Sequence, residues 1–142
     1  MELTAAERDA FLAEPHVAVL TIAAPDRPPL TVPVFYAHRD GLISFFTGTQ
    51  GRRARKTRLL AETGAFSLCV QRPEPPYTYV TAECTVVRTE RKPEVEDVVA
   101  VAARYMPEDA AREFAEAEIA HPAGTFVLFT GRPDRWISRR FG

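Results

Sequence analysis

Leu42-Ile43-Ser44-Phe45-Phe46-Thr47-Gly48-Thr49-Gln50, followed directly by Gly51-Arg52-Arg53-Ala54-Arg55-Lys56-Thr57-Arg58-Leu59-Leu60, is the passage on which the fold turns. Its first half reads as a buried strand, set off by Asp40-Gly41 before it and Gly48 after it. A glycine-marked turn then opens into a helix with five cationic side chains within seven residues, Arg52 to Arg58. Such an arrangement receives anions. A helix start presents free N–H groups and the positive end of its dipole, and arginine adds a planar fork of donors. The passage reads as a phosphate clamp for a small organic cofactor.

Upstream, Thr4 with Glu7 three residues on forms a capping-box pattern and predicts a helix to about Ala13, ended by Pro15. His16 to Ala23 is a first strand, and Leu30 to His38 a second, joined by the turn residues Pro25-Asp26-Arg27-Pro28-Pro29. Pro33 lies inside that second strand and cannot donate to a ladder, so it marks an edge, a bulge or an opening. The basic helix ends near Glu62-Thr63-Gly64, and Ala65 to Gln71 and Tyr77 to Arg88 are further strands. Val95, Val98, Val99, Ala102 and Met106 share one helical face, and Phe114, Ala117 and Ile119 point inward from a second helix over roughly 109–120. Thr125 to Thr130 is the last strand, with Arg135 to Arg139 a candidate extension of the sheet.

Six strands with short connections, one inserted helix and a late helical excursion predict a mainly β (α+β) domain over residues 1–142. Its architecture is expected to be a small, mostly antiparallel barrel with flanking helices. The strands lie too close together for repeated βαβ units, and Gly-x-Gly-x-x-Gly is absent, which argues against a Rossmann domain.

Eighteen Lys and Arg against nineteen Asp and Glu give no overall field to attract nucleic acid or an anionic membrane. No secretory signal and no transmembrane run is legible, and Cys69 and Cys84 stand in apolar strand-like runs without Cys-x-x-Cys spacing. A cytoplasmic protein with free thiols is expected. His16, His38 and His121 have no metal-ligand spacing, and no serine stands in a Gly-x-Ser-x-Gly setting. The carboxylates of Glu94 to Glu118 read as a solvated helical face. For the basic helix itself, a phosphate clamp is preferred to a solvated amphipathic face, and both to nucleic-acid binding, which would want a basic stripe as well as platforms such as Tyr77 and Tyr79.

The run from Val17 to Glu83, followed by helices and a final strand, resembles the pyridoxamine 5′-phosphate oxidase-like split barrels, which bind FMN or a deazaflavin coenzyme. The resemblance rests on the strand pair Leu30–Phe46, on Arg55-Lys56 within Arg-Lys-Thr-Arg-Leu-Leu, and on Phe66-Ser67-Leu68-Cys69-Val70 after it. It implies a six-stranded antiparallel split β-barrel whose site lies between two subunits of a homodimer. Arg55 and Lys56 would grip the cofactor phosphate, with Arg52 or Arg53 supplementing them. Thr31, Val32, Pro33 and Val34 would line the ring edge through backbone groups, Phe46 and Thr47 would sit at the ribityl-phosphate end, and Tyr79 and Trp136 would approach the ring or the substrate.

The tail Trp-Ile-Ser-Arg-Arg-Phe-Gly lacks the basic, His-containing substrate segment of the oxidase acting on pyridoxamine phosphate, and the loop Gly48–Arg53 is longer, so that reaction is not expected. The extra arginines are similar to members using the 8-hydroxy-5-deazaflavin coenzyme (F-420), and FMN and the deazaflavin both stay open. The implied function is an oxidoreductase passing hydride to or from a small organic substrate. Such a cofactor performs the hydride chemistry itself, which suits a chain without an acid–base constellation. A non-catalytic cofactor carrier or sensor of the same fold fits that division of labour equally.

Overall fold

The computed structural model describes residues 1–48 and 55–142. Thr4 caps helix α1 (Ala5–Leu12) through a reciprocal pair, with Glu7 N donating to Thr4 Oγ1 at 3.2 Å and Thr4 N to Glu7 Oε1 at 2.9 Å. Two N–H groups that a helix start leaves orphaned are thereby satisfied. Phe11 and Leu12 are the buried residues of α1 and join the main core.

The sheet has seven strands, not the six expected: β1 (Ala18–Ile22), β2 (Leu30–Val34), β3 (Tyr36–Arg39), β4 (Leu42–Thr47), β5 (Ala65–Arg72), β6 (Tyr77–Glu90) and β7 (Val127–Phe141). The additional strand arises because the segment 30–38, expected as one strand, breaks at Phe35. In the order β2-β1-β5-β6-β7-β4-β3 its two halves stand at opposite edges. One residue separates them in the chain, so the antiparallel sheet coils until its edges approach at Phe35, yet no ladder joins β2 to β3. The barrel is therefore split along this seam and not closed. Pro33 sits on the edge strand β2, where a missing N–H costs no ladder bond to a further strand.

The last strand also exceeds expectation. β7 runs unbroken from Val127 through Gly131-Arg132-Pro133 to Phe141, and register shifts against β6 at Glu83/Cys84 and Val86/Arg88 absorb the irregularity. Strict alternation along β1 and β4 sends Leu20, Ile22, Ile43 and Phe45 inward. Phe45 stands edge-on to Phe66 at 5.0 Å and stacks with Phe129 at 5.5 Å. The hairpin between β3 and β4 turns on Asp40 (φ 54°) and Gly41 (φ 75°), the two left-handed positions a two-residue loop requires.

Helix α2 (Arg55–Thr63) buries Leu59 and Leu60 in the main core and stops at Gly64, whose N–H donates back to Leu60 O at 2.9 Å. Helices α3 (Val95–Ala102) and α4 (Glu108–Ile119) build a second apolar cluster with Phe126, against which Phe46 and Phe114 pack. Ala111 and Ala115 occupy the inward face of α4, whereas Ala117, expected inward, is exposed. It stands about 200° round the helix from Ala115.

The turn after α3 ties these parts together. Arg104 donates to Leu12 O at 2.8 Å, to Glu14 O at 2.9 Å and to Tyr36 O. The fully buried Tyr36 hydroxyl donates to Leu12 O at 2.8 Å, and burial pushes its phenol up to about 12 even beside the Arg104 guanidinium. No helix among the described residues is long and apolar enough to cross a membrane.

Candidate functional site

A cleft of about 370 Å³ opens beside the seam. Val17 ahead of β1, Pro33 and Val34 of β2, and Phe35 at the crossing form one wall. Phe46 and Gly48 at the end of β4, Lys56 of α2, and Phe114 and Glu118 of α4 complete it. Phe46 is held by Phe114 and Phe126, with ring centroids at 5.4 and 5.3 Å. Below it Thr47 is fully buried, its hydroxyl 3.5 Å from that of Thr57, a contact that fixes α2 against β4 one residue beyond Lys56.

Helical spacing decides which cation enters the cleft. Lys56 lies three and four residues before Leu59 and Leu60, so it shares the inward face of α2. Its ammonium is half-buried and makes no ion pair among the described residues, and burial holds it below the usual lysine range. Arg55 is one residue away and therefore about 100° round the helix. It opens instead onto a separate groove of about 240 Å³ shared with Arg27, Arg58 and Glu62. Adjacency in sequence thus does not bring Arg55 and Lys56 to one cleft.

Of the remaining residues expected at the site, Pro33, Val34 and Phe46 line the cleft, and Thr47 lies beneath it. Thr31 is exposed on β2, and Val32 packs toward the core. β2 pairs with β1 alone among the described strands, so its other backbone edge carries no ladder. Tyr79 borders a different depression with Gln71, Tyr77 and Phe141. Trp136 lies on β7 under the Arg8 guanidinium at 4.2 Å and edge-on to His38 at 5.9 Å. Arg52 and Arg53, with the turn at Gly51, lie outside the described residues.

Sequence reading missed Val17, Phe35, Phe114 and Glu118 as cleft residues. Phe35 had a signal in its place just beyond Pro33. Glu118 had none, because it is one of several carboxylates on α4 and only the packing of that helix turns it inward. Chemically, the described residues make the cleft an apolar, aromatic-walled slot with one cation and one carboxylate among them, which suits a planar ring system carrying an anionic arm.

Several solved structures share this architecture. An F420 reductase superposes with a TM-score of 0.70 at 19% identity, covering 91% of this chain and 94% of its own. An FAD-binding protein from Mesorhizobium loti gives 0.68 at 17% identity, covering 100% and 98%. A heme storage protein from Vibrio cholerae gives 0.71 at 17% identity, also covering 100% and 98%. Structures described as pyridoxamine 5′-phosphate oxidases of the putative kind match as well, so the fold is that of the pyridoxamine 5′-phosphate oxidase-like split barrels. No family profile and no curated protein sequence matches the chain.

Proposed function

We propose that the Lys56 cleft holds a phosphate-bearing flavin or deazaflavin, and that the chain is an oxidoreductase acting on a small organic substrate. The observation that carries this reading is Lys56 itself: a partly desolvated ammonium, unpaired among the described residues, in a slot walled by Phe35, Phe46 and Phe114. Removing such a charge from water is costly unless an anion meets it, and a phosphate does so with charge-assisted hydrogen bonds. The aromatic walls receive a planar ring, and the open edge of β2 offers backbone groups to the polar rim of that ring. When bound, the cofactor supplies the hydride chemistry, and this chain supplies binding, orientation and exclusion of water.

The same reading includes a homodimer. On the outward face of five strands Pro33, Val19, Cys69, Thr81 and Ile137 are cross-strand neighbours in one continuous row. Ile137 is 44% exposed and Val17, at the cleft mouth, 50%. Pro33 belongs both to that row and to the cleft, so a second copy seated on this face would help wall the site. The free thiols Cys69 and Cys84 support a cytoplasmic setting.

Titration of the purified protein with FMN and with the deazaflavin coenzyme, followed by turnover with reduced cofactor on quinones and enones, tests the reading. Saturable binding with turnover is expected. Binding without turnover favours a carrier or sensor. Binding of neither cofactor overturns both.

A further inference from the structure

We infer that Glu118 is a specificity-determining residue that selects the charge of the anion held in the Lys56 cleft, favouring a singly charged phosphodiester over a doubly charged phosphate monoester. The inference rests on the flavin-type reading above and narrows its ligand. Helix α4 also carries Glu108, Asp109, Glu113 and Glu116, all of them exposed to solvent. Glu118 departs from that pattern: it is half-buried and lines the cleft with Phe114, one turn before it. Its Oε1 lies so close to the end of β4 that a Cβ added at Gly48 would stand 3.1 Å away. Lys56 is tied to the same strand end, because its neighbour Thr57 meets Thr47, the residue before Gly48, hydroxyl to hydroxyl at 3.5 Å. Carboxylate and ammonium thus share one end of a cleft of about 370 Å³, yet no ion pair among the described residues joins them.

An anion bound to Lys56 is therefore held beside a negative charge. One ammonium neutralises one charge, and the cost of taking an ion out of water grows with the square of its charge. Among the described residues a second negative charge on the ligand would find only apolar walls and the Glu118 carboxylate. A phosphodiester carries one negative charge, whereas a monoester at about pH 8, well above its second pKa of about 6, carries two. Glu118 opposes both, and the dianion twice as strongly. The deazaflavin coenzyme, whose phosphate is a diester, meets this condition. FMN, a monoester, does not.

The test uses two pairs, each a monoester and a diester on one ring: FMN with its phosphate monomethyl ester, and the 5′-phosphate of the deazaflavin chromophore with the complete coenzyme. Each is titrated by fluorescence at about pH 8 into wild type, Glu118→Gln and Glu118→Asp. Wild type is expected to prefer the diester roughly 10-fold, the effect of one unit charge several ångströms away in an effective dielectric of about 20. Glu118→Gln keeps the shape without the charge, so it should bind the monoester more tightly than wild type does and bring each ratio close to one. Glu118→Asp keeps the charge and should keep the preference. A wild type that binds the monoester as tightly as the diester, or a preference undiminished in Glu118→Gln, overturns the role of Glu118 and leaves the flavin reading standing. Failure of wild type to bind any of the four ligands overturns that reading and this inference with it.

Discussion

Phe35 lies flat on Tyr105, the ring centroids 4.1 Å apart and the planes 8° from parallel. Phe35 is also the residue at which the chain crosses from one edge of the sheet to the other, and its side chain lines the Lys56 cleft. Tyr105 in turn donates its hydroxyl to His16 O at 2.8 Å, and its neighbour Arg104 is bonded to three backbone carbonyls. The seam, the cleft wall and the turn after α3 are thus one connected unit.

Removal of Arg104 should loosen that unit at once. Arg104→Ala is expected to cost about 2–4 kcal/mol, since several charge-assisted hydrogen bonds to partly buried carbonyls are lost together. Arg104→Lys should recover less than half, because a lysine cannot reproduce a planar fork that reaches Leu12, Glu14 and Tyr36 at the same time. Equilibrium urea unfolding measures both. A loss below about 1 kcal/mol for the alanine variant would contradict the clasp.

Lys56 gives the site a pH dependence whose sign follows from its burial. Its folded-state pKa lies below the ordinary lysine value because the charged form is desolvated. Phosphate requires the charged form, so cofactor affinity should be greatest below that depressed pKa and fall as pH rises through it. The fall should come at lower pH than an exposed lysine would give. Lys56→Arg, which stays protonated, should bind with little change across the same alkaline range, and Lys56→Ala should lose about 1.5–3 kcal/mol at neutral pH and show no alkaline loss from this residue. Affinity measured at a series of pH values decides the matter, and a wild-type profile identical to that of Lys56→Arg would exclude Lys56 as the anion's partner.

Features set by local chemistry were legible in the sequence. The Thr4–Glu7 cap, the Asp40-Gly41 turn, the stop at Gly64 and the inward stripe of α3 each depend on residues within a turn or two of one another. What depended on pairing partners was not. Nothing local to 30–38 says that its halves join opposite edges of the sheet, and nothing in Gly131-Arg132-Pro133 says that β7 continues through it. The site divides the same way. Lys56 is placed by its spacing from Leu59 and Leu60, whereas Glu118 reaches the cleft only because α4 packs over Phe46.

The outward row ending at Ile137 makes the oligomeric state testable. Ile137→Glu places a charge on the face proposed to meet a second copy, and burying it there unpaired would cost several kcal/mol. The dimer dissociation constant should rise at least about 100-fold, a change of about 2.7 kcal/mol. The isolated fold should shift by no more than about 0.5 kcal/mol, because the side chain is 44% exposed in the single copy. Sedimentation equilibrium reports the first and thermal unfolding of dilute protein the second. A variant that remains as dimeric as wild type would remove this face from consideration.

Gly131 lies where β7 passes between β4 and β6, opposite Ile43 and Val86, and the space its missing side chain would need is already occupied. A Cβ at this position would fall 2.5 Å from Phe66 Cζ, 2.6 Å from its Cε1 and 3.2 Å from Cys84 Cβ. Phe66 cannot simply swing aside, being 4% exposed and held edge-on to Phe45 at 5.0 Å. Gly131→Ala should therefore destabilise by about 1–3 kcal/mol through overpacking, although alanine is otherwise the better strand residue. Phe66→Leu alone should also destabilise, by leaving a void. Combined with Gly131→Ala it should cost clearly less than the sum, since the smaller side chain vacates the volume the new methyl requires. Denaturation of the four proteins in a double-mutant cycle gives the coupling, expected at about 1 kcal/mol or more. Strict additivity would mean that the close approach of β7 to Phe66 is not what keeps glycine at this position.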